Sequence, residues 1–272
     1  GLVPERALTE AGKYFLEKQH RSAGIPKEDI LKIAIKSMGL EDLRPFNPKE
    51  KVIEYLLEGD NSKKLVNLTV KGFADETSRE SPAPGGGSVS AYMGALGASL
   101  ATMVANLSSH KPGWDDRWDE FACWAEKGME LQEELLHLVD EDTEAFNRIM
   151  AAFGMPKNTD EEKTLRSAAI QDATLFATEV PLETMKTSVK VFDVCRQMVR
   201  EGNPNSVSDA GVGALAARAA VIGAGMNVKI NASSLKDRKK AEALIAEADA
   251  IIEKANAAEK EITQEVDKKI KG

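Results

Sequence analysis

The sequence predicts an all-α fold: a helical bundle with two central helices rich in small residues, preceded by a short helical segment. Three observations carry that expectation. Aromatic residues make up only 5% of the 272 residues, and Ala, Leu, Glu and Lys outweigh any β-branched alternation. Apolar residues recur at steps of three and four between recognisable caps and breakers. Two segments, 88–109 and 209–228, are apolar around most of their circumference, as helices at a bundle centre or a subunit interface would be.

The elements follow in order. Pro4 suits the first position of a helix whose stripe is Leu8, Ala11 and Phe15. A second helix runs from near Pro26 to Gly39, with Ile30, Ile33, Ile35 and Met38 apolar. Asn47-Pro48 reads as the cap and first residue of a third, continuing through Ile53 and Leu56. Residues 1–57 thus form a small helical segment, 58–64 a linker marked by Gly59-Asp60-Asn61-Ser62, and 65–272 the main domain.

In the main domain, Phe73 lies in a short helix ending before Pro82. The Pro/Gly loop 81–88 then leads into a long helix of small residues that breaks at Lys111-Pro112-Gly113. The next helix, from about Trp114 to Phe153, carries the stripe Trp118, Phe121, Ala125, Met129, Leu135, Val139, Phe146, Ile149 and Phe153. Thr159 with Glu162 forms a capping box. The helix it opens is kinked or interrupted near Pro181 and ends by Gly202. Ser206-Val207-Ser208-Asp209 caps the second small-residue helix, and a last amphipathic helix runs from about Ser234 to Lys269. Each interior glycine of the two central helices costs about 1 kcal/mol of helix propensity against Ala, which close helix packing has to offset. The other long helices are expected to wrap these two.

Composition excludes several classes. A net charge of −8 argues against nucleic-acid binding. Cys123 and Cys195 stand far apart with no CxxC spacing, which excludes a zinc ribbon and a disulfide scaffold and fits a reducing cytoplasm. No signal peptide is visible after Gly1, and the chain reads as cut from something longer. The uncharged stretch 81–109 is too rich in Pro, Gly and Ser for a membrane span. His20, His110 and His137 show no metal-ligand spacing, so no metal centre is expected.

Three local patterns can carry chemistry. Gly85, Gly86 and Gly87, followed by Ser88, bare backbone N–H groups at the positive end of a helix; they can hold an anion or a flat ligand, or simply make a tight turn. They match neither a P-loop nor a dinucleotide fingerprint. In Leu138-Val139-Asp140-Glu141-Asp142-Thr143-Glu144, Asp142 falls on the apolar stripe and Asp140 at its edge, about 200° away on the helix. A carboxylate turned to the core must pair, bind a cation or take a proton. Asp209, Asn106 and Asn227 at the central helix ends either cap those helices or face a ligand.

Taken together, Ser-Pro-Ala-Pro-Gly-Gly-Gly-Ser-Val at 81–89, Leu-Val-Asp-Glu-Asp-Thr-Glu-Ala-Phe at 138–146, Pro-Lys-Asn-Thr at 156–159 and Ser-Asp-Ala-Gly-Val at 208–212 resemble formiminotetrahydrofolate cyclodeaminase over roughly 65–270. Leu-Val-Pro-Glu-Arg-Ala-Leu at 2–8 and Pro-Phe-Asn-Pro-Lys-Glu-Lys at 45–51 resemble the C-terminal end of the glutamate formiminotransferase module. The resemblance implies an ammonia-lyase of one-carbon metabolism and histidine degradation. It would close 5-formiminotetrahydrofolate to the 5,10-methenyl form without transferase activity, and without a cofactor beyond the folate substrate. It also implies a cytoplasmic homo-oligomer, a dimer or dimer-based, with no nucleic-acid or membrane partner. It places the catalytic acid at Asp140, where the helical wheel ranks Asp142 first. Gly85, Gly86, Gly87, Ser88, Tyr92, Asn106, Asp209 and Asn227 are the expected pterin and aminobenzoyl contacts. Lys157 and Lys229 are the basic residues expected to meet an anionic, polyglutamylated tail. The alternatives are a methenyltetrahydrofolate cyclohydrolase and a non-catalytic oligomerisation module.

Overall fold

A computed structural model describes residues 1–42, 44–57, 64–81 and 83–271. Most of the expected linker, residues 58–63, and Pro82 of the glycine loop lie outside the described residues. Among the described residues every named element is helical, and one isolated parallel bridge joins Val3 to Val52.

Four helices form the leading segment: α1 (Glu5–Lys18), α2 (Lys27–Ser37), α3 (Pro48–Lys51) and α4 (Ile53–Leu57). Leu8, Leu31, Ala34, Ile35 and Val52 give it a small core of its own. Asn47 caps α3 as expected, accepting from Lys49 N, with Pro48 next. The single third helix of the sequence reading is split, because Val52 turns extended to meet Val3. Val3 N donates to Lys51 O at 2.8 Å and Ile53 N to Val3 O at 3.1 Å, and Val52 is fully buried.

After the short α5 (Val70–Thr77) come five long helices: α6 (Gly86–Ser109), α7 (Trp118–Phe153), α8 (Asp160–Glu201), α9 (Val207–Ala232) and α10 (Arg238–Lys271). Each runs antiparallel to the one before. Asp142 of α7 lies by Gly87 of α6, and Thr102 of α6 by Gly128 of α7. The α6–α9 pair crosses most closely at two glycines, where a Cβ on Gly97 would stand 2.8 Å from Gly213 O. Phe121, Leu135, Met185, Met198 and Ile262 fill the core between these axes at under 2% exposure, each contributing about 1.5–3 kcal/mol on burial.

Several boundaries depend on tertiary partners. The Thr159–Glu162 capping box forms as expected. However, α8 continues through Pro181 as one helix. Proline leaves the carbonyl four residues back without its N–H, and Asn231 Nδ2 of α9 donates to that carbonyl, Ala177 O, at 2.6 Å. Ser206 makes no side-chain cap for α9; Asn203 instead accepts from Asn205 N in the turn before it. The last helix starts at Arg238 rather than Ser234, because Ser233 and Ser234 close the end of α9 and Asp237 Oδ1 receives Lys240 N.

The expected wrapping of α6 and α9 is incomplete. Leu96, Met103 and Leu107 of α6 and Val212, Leu215, Met226 and Ile230 of α9 are exposed. α6 and the segment Pro204–Ala232 are long and apolar enough to cross a membrane, but 61% and 50% of their apolar windows are buried in the fold. They are core helices with one open apolar side.

Candidate active site

One end of the bundle gathers the start of α6, the latter part of α7, the start of α8 and the end of α9. At α6, Gly85 is the N-cap, so Gly86, Gly87 and Ser88 supply its first free N–H groups. Asp142 of α7 faces them. Its Oδ2 accepts from Ser88 N and from Ser88 Oγ, both at 2.8 Å. A Cβ on Gly87 would overlap Asp142 Oδ1 and lie 2.5 Å from Asp142 Cγ, so only glycine lets this carboxylate reach the helix terminus. Burial pushes the Asp142 carboxyl above the ordinary carboxylate range, against the two Ser88 hydrogen bonds that pull it down.

Asn227 of α9 closes the other side, with Nδ2 about 3.4 Å from where a Gly86 Cβ would sit. The same Nδ2 donates to Gly223 O at 3.0 Å, which orients the amide. Gly223 lies against Ser90 Oγ, one turn further along α6. Tyr92, one turn after Ser88, packs its ring on Phe73 of α5 at 5.1 Å between centroids. The pattern of sequence spacing did not single out Phe73 as a site residue.

Asp140 points elsewhere, as a separation of about 200° on one helix requires. Its Oδ1 accepts from Leu65 N at 2.6 Å. It lines a shallow cleft with Lys64, Val66, Leu136, His137 and Glu144. The two aspartates therefore serve two different faces of α7.

The remaining expected contacts divide. Lys157 lines a cleft of about 390 Å³ with Lys163, Arg166 and Lys236, just beyond the end of α7. The last three cations carry no signal in the linear pattern; the folded turns bring them to Lys157. Lys229 is held in an ion pair with Asp249 of α10 at 2.5 Å. Asn106 and Asp209 are not in this assembly. Asn106 stands nineteen residues along α6 from Gly87, about 28 Å. Asp209 opens α9 at that same far end, where Asn203 N donates to Ser108 Oγ of α6. Asn106 is tied to the leading segment through its Nδ2, which donates to Gly24 O at 2.6 Å, while its Oδ1 has no partner among the described residues. Helix length and the antiparallel course of α6 and α9 exclude both residues from the glycine-loop site of the same chain.

Among the described residues no cluster of three His, Cys, Asp or Glu side chains could hold a metal ion. Burial pushes the Cys195 thiol up to about 12, so it offers no thiolate. The arrangement is one raised carboxyl with a hydroxyl, a run of backbone donors and an oriented amide, which is equipment for moving a proton beside a polar heterocycle.

Known proteins resemble this chain over most of its length. Residues 69–268 match the family described as Formiminotransferase-cyclodeaminase, and residues 1–58 match the Formiminotransferase domain. The methenyltetrahydrofolate cyclohydrolase of Methylorubrum extorquens is 38% identical over 204 residues, covering 75% of this chain and 98% of that protein. The formimidoyltransferase-cyclodeaminase of Mus musculus is 34% identical over 238 residues, covering 87% of this chain. This chain spans 44% of that protein, so it corresponds to under half of the bifunctional relative. The crystal structure of formiminotetrahydrofolate cyclodeaminase from Thermotoga maritima superposes with a TM-score of 0.63 at 28% identity, over 76% of this chain and 97% of that one. With its helical bundle and a match over residues 69–268, the chain belongs to the formiminotransferase-cyclodeaminase family.

Proposed function

We propose that this chain is a formimidoyltetrahydrofolate cyclodeaminase acting through Asp142. The substrate's N10 attacks the carbon of the protonated, cationic formimino group, and the C=N electron pair moves to nitrogen, giving a tetrahedral aminal. The N10 proton passes through the Asp142 carboxylate to that nitrogen. The C–N bond then breaks, ammonia leaves, and the 5,10-methenyl cation remains. Charge and electrons balance without a redox step or a cofactor beyond the folate.

The observation that carries this reading is Asp142 itself. It is held by Ser88 at the glycine loop, and burial raises its carboxyl toward the range where it can both accept and return a proton. Ring closure within one molecule supplies proximity, so the protein's task is to hold the attack conformer. Gly85, Gly86, Ser88, Tyr92 and Asn227 surround the place where a pterin would lie. Asp140 acts here from a distance, by fixing Leu65 N and with it the turn leading to α5. Lys157, with Lys163, Arg166 and Lys236, stands beyond the end of α7, about 16 Å along the axis from Asp142, and suits an anionic glutamate tail.

The first 57 residues are read as the tail of a formiminotransferase module, which would place the reaction after formimino transfer, in the breakdown of histidine. The open apolar side of α6 and α9 supports a homo-oligomer built on that face. The free thiols Cys123 and Cys195 suit the cytoplasm.

One observation favours a second reading: 38% identity across nearly the whole of a methenyltetrahydrofolate cyclohydrolase. There the same carboxylate would activate water against the methenyl carbon. Purified protein given 5-formiminotetrahydrofolate should release ammonia as methenyl absorbance rises. Faster decay of supplied 5,10-methenyltetrahydrofolate, with no ammonia from the formimino compound, selects the cyclohydrolase. Inertness toward both leaves a non-catalytic oligomerisation module.

A further inference from the structure

Many helical hydroxyls in this protein share one habit, while Ser88, Ser109 and Thr187 reach other partners. Ser90, Ser99, Thr102, Ser108, Thr174 and Thr178 each donate to the carbonyl four residues back, at 2.6–2.8 Å. This is the bond by which a Ser or Thr inside a helix satisfies its own donor. Thr143 departs from it. Its Oγ1 is buried and has no hydrogen-bond partner among the described residues, not even the Val139 carbonyl one turn back.

Its position gives that departure a meaning. Thr143 follows Asp142 by one residue and Asp140 by three, so it projects about 100° from the first and about 60° from the second. It lies inside the narrower arc between them. Asp142 marks the direction of Ser88 at the start of α6, and Asp140 marks the direction of Leu65. The arc between them has the start of α6 on one side and the Leu65–Asn67 turn on the other, and Tyr92, one turn after Ser88 on α6, packs on Phe73 of α5. A hydroxyl withheld from its own helix beside the raised carboxyl is a donor and acceptor in search of a partner. Among the described residues the other buried, unpartnered hydroxyl, Ser188 Oγ, is wedged between helices against Gly94.

We propose that Thr143 is a substrate-positioning residue: its hydroxyl hydrogen-bonds the N5 substituent of a reduced folate and holds it against Asp142. The inference rests on the cyclodeaminase reading above and deepens it. A hydroxyl serves an amidinium by accepting and a formyl oxygen by donating, so it tolerates either N5 group.

The test compares Thr143→Val, Thr143→Ser and Ser188→Ala with the unaltered chain, in turnover of 5-formiminotetrahydrofolate and in calorimetric binding of 5-formyltetrahydrofolate. Valine keeps the shape and removes an unsatisfied buried group, so the melting temperature should hold or rise. Turnover should fall about ten-fold and 5-formyltetrahydrofolate should bind several-fold more weakly. Serine should recover activity to within about three-fold, and Ser188→Ala should change no kinetic constant. Unaltered turnover and binding in Thr143→Val overturn the inference, as does a parallel loss of activity and melting temperature that serine fails to rescue. If the unaltered chain binds 5-formyltetrahydrofolate but releases no ammonia, the cyclodeaminase reading fails while the binding series still decides Thr143. If it neither binds 5-formyltetrahydrofolate nor releases ammonia, both fall.

Discussion

The two ends of the α6–α9 pair carry the same kinds of residue and put them to different use. Each end of the pair has an asparagine on one of the two helices and an aspartate at the same end of the bundle. At the glycine-loop end, Asn227 bonds within its own helix and Asp142 bonds to the terminus of α6, so both remain poised over one spot. At the far end, Asn106 Nδ2 is engaged by Gly24 O while its Oδ1 is buried with no partner among the described residues, and the leading segment makes further contacts at that end. Ser22 N donates to His110 Nε2 at 3.1 Å, and the His20 ring stacks on Trp118. A polar residue at a helix end is thus a site or a fastening according to what the rest of the chain brings to it. Here the fastening holds the small leading core to the bundle, and the glycine-loop end is where we propose the chemistry takes place.

The largest expected effect separates the two aspartates on these grounds. Asp142→Asn should lower turnover by about 10²–10⁴, the usual contribution of a general acid–base. Asp209→Asn should leave it within about two-fold, since no transition-state contact is lost. Asp140→Asn belongs in the same series; a loss there, with Asp142→Asn active, would move the proton transfer to the other face of α7. Asp142 also predicts a pH signature. Its folded carboxyl is raised, so the stability it contributes is fully present below the ordinary carboxyl value of about 4 and is lost as pH climbs through the raised one. Asparagine cannot ionise. The stability advantage of Asp142→Asn over the unaltered chain, read from urea melts, should therefore widen from pH 4 to pH 7. A gap that narrows would mean the Ser88 hydrogen bonds outweigh burial.

Next in size is a change that reaches the carboxylate without touching it chemically. Gly87→Ala places a methyl on Asp142 Oδ1, so the acid must leave Ser88. Overpacking of this kind costs about 1–3 kcal/mol, and turnover should fall at least ten-fold with it. Gly97→Ala, at the close crossing with Gly213 O, is the comparator: a similar loss in thermal melts, with per-molecule activity of the folded fraction retained. Equal activity losses in the two would dissolve the distinction between a site glycine and a packing glycine.

Much of this was legible beforehand, for reasons that are local. The Thr159–Glu162 box, the Asn47-Pro48 start and the Lys111-Pro112-Gly113 break act within a few residues, and periodicity alone turned Asp142 inward between Val139 and Phe146. What escaped depends on partners distant in sequence. Nothing near Pro181 announces that Asn231 will take the abandoned Ala177 carbonyl, and nothing near Val52 announces Val3. Asn106 read as a ligand contact because its type and place suited one; its partner, Gly24, is 82 residues away. The resemblance and the helical wheel disagreed over Asp140 and Asp142. The fold gives the disagreement a physical form, with one acid facing Leu65 and the other Ser88.

The far end makes a smaller prediction of opposite character. Asn106→Ala removes the bond to Gly24 O and leaves that carbonyl to find another donor, at a cost of about 1–3 kcal/mol. Thermal melting should drop, and amide exchange should speed up around residues 20–25, while KM for the folate stays unchanged. A rise in KM without loss of stability would bring Asn106 back as a ligand contact.

The smallest effects concern the two lysines. Lys229 and Asp249 are 43% and 54% exposed, and a pair so open to solvent is worth less than about 1 kcal/mol. Lys229→Met should therefore change neither stability nor KM appreciably, because its charge is already answered. Lys157 shares its cleft with Lys163, Arg166 and Lys236, and no acid lines it. Lys157→Met should raise KM about two- to five-fold for a folate with several glutamates, and less for one with a single glutamate. The difference should shrink in added salt, because exposed charges about 10 Å apart are screened at 0.1 M ionic strength. An equal effect on both substrates at every salt concentration would remove the tail from this cleft. The argument for Asp142 would stand, since it depends on Ser88 and the glycine loop and not on where the glutamates lie.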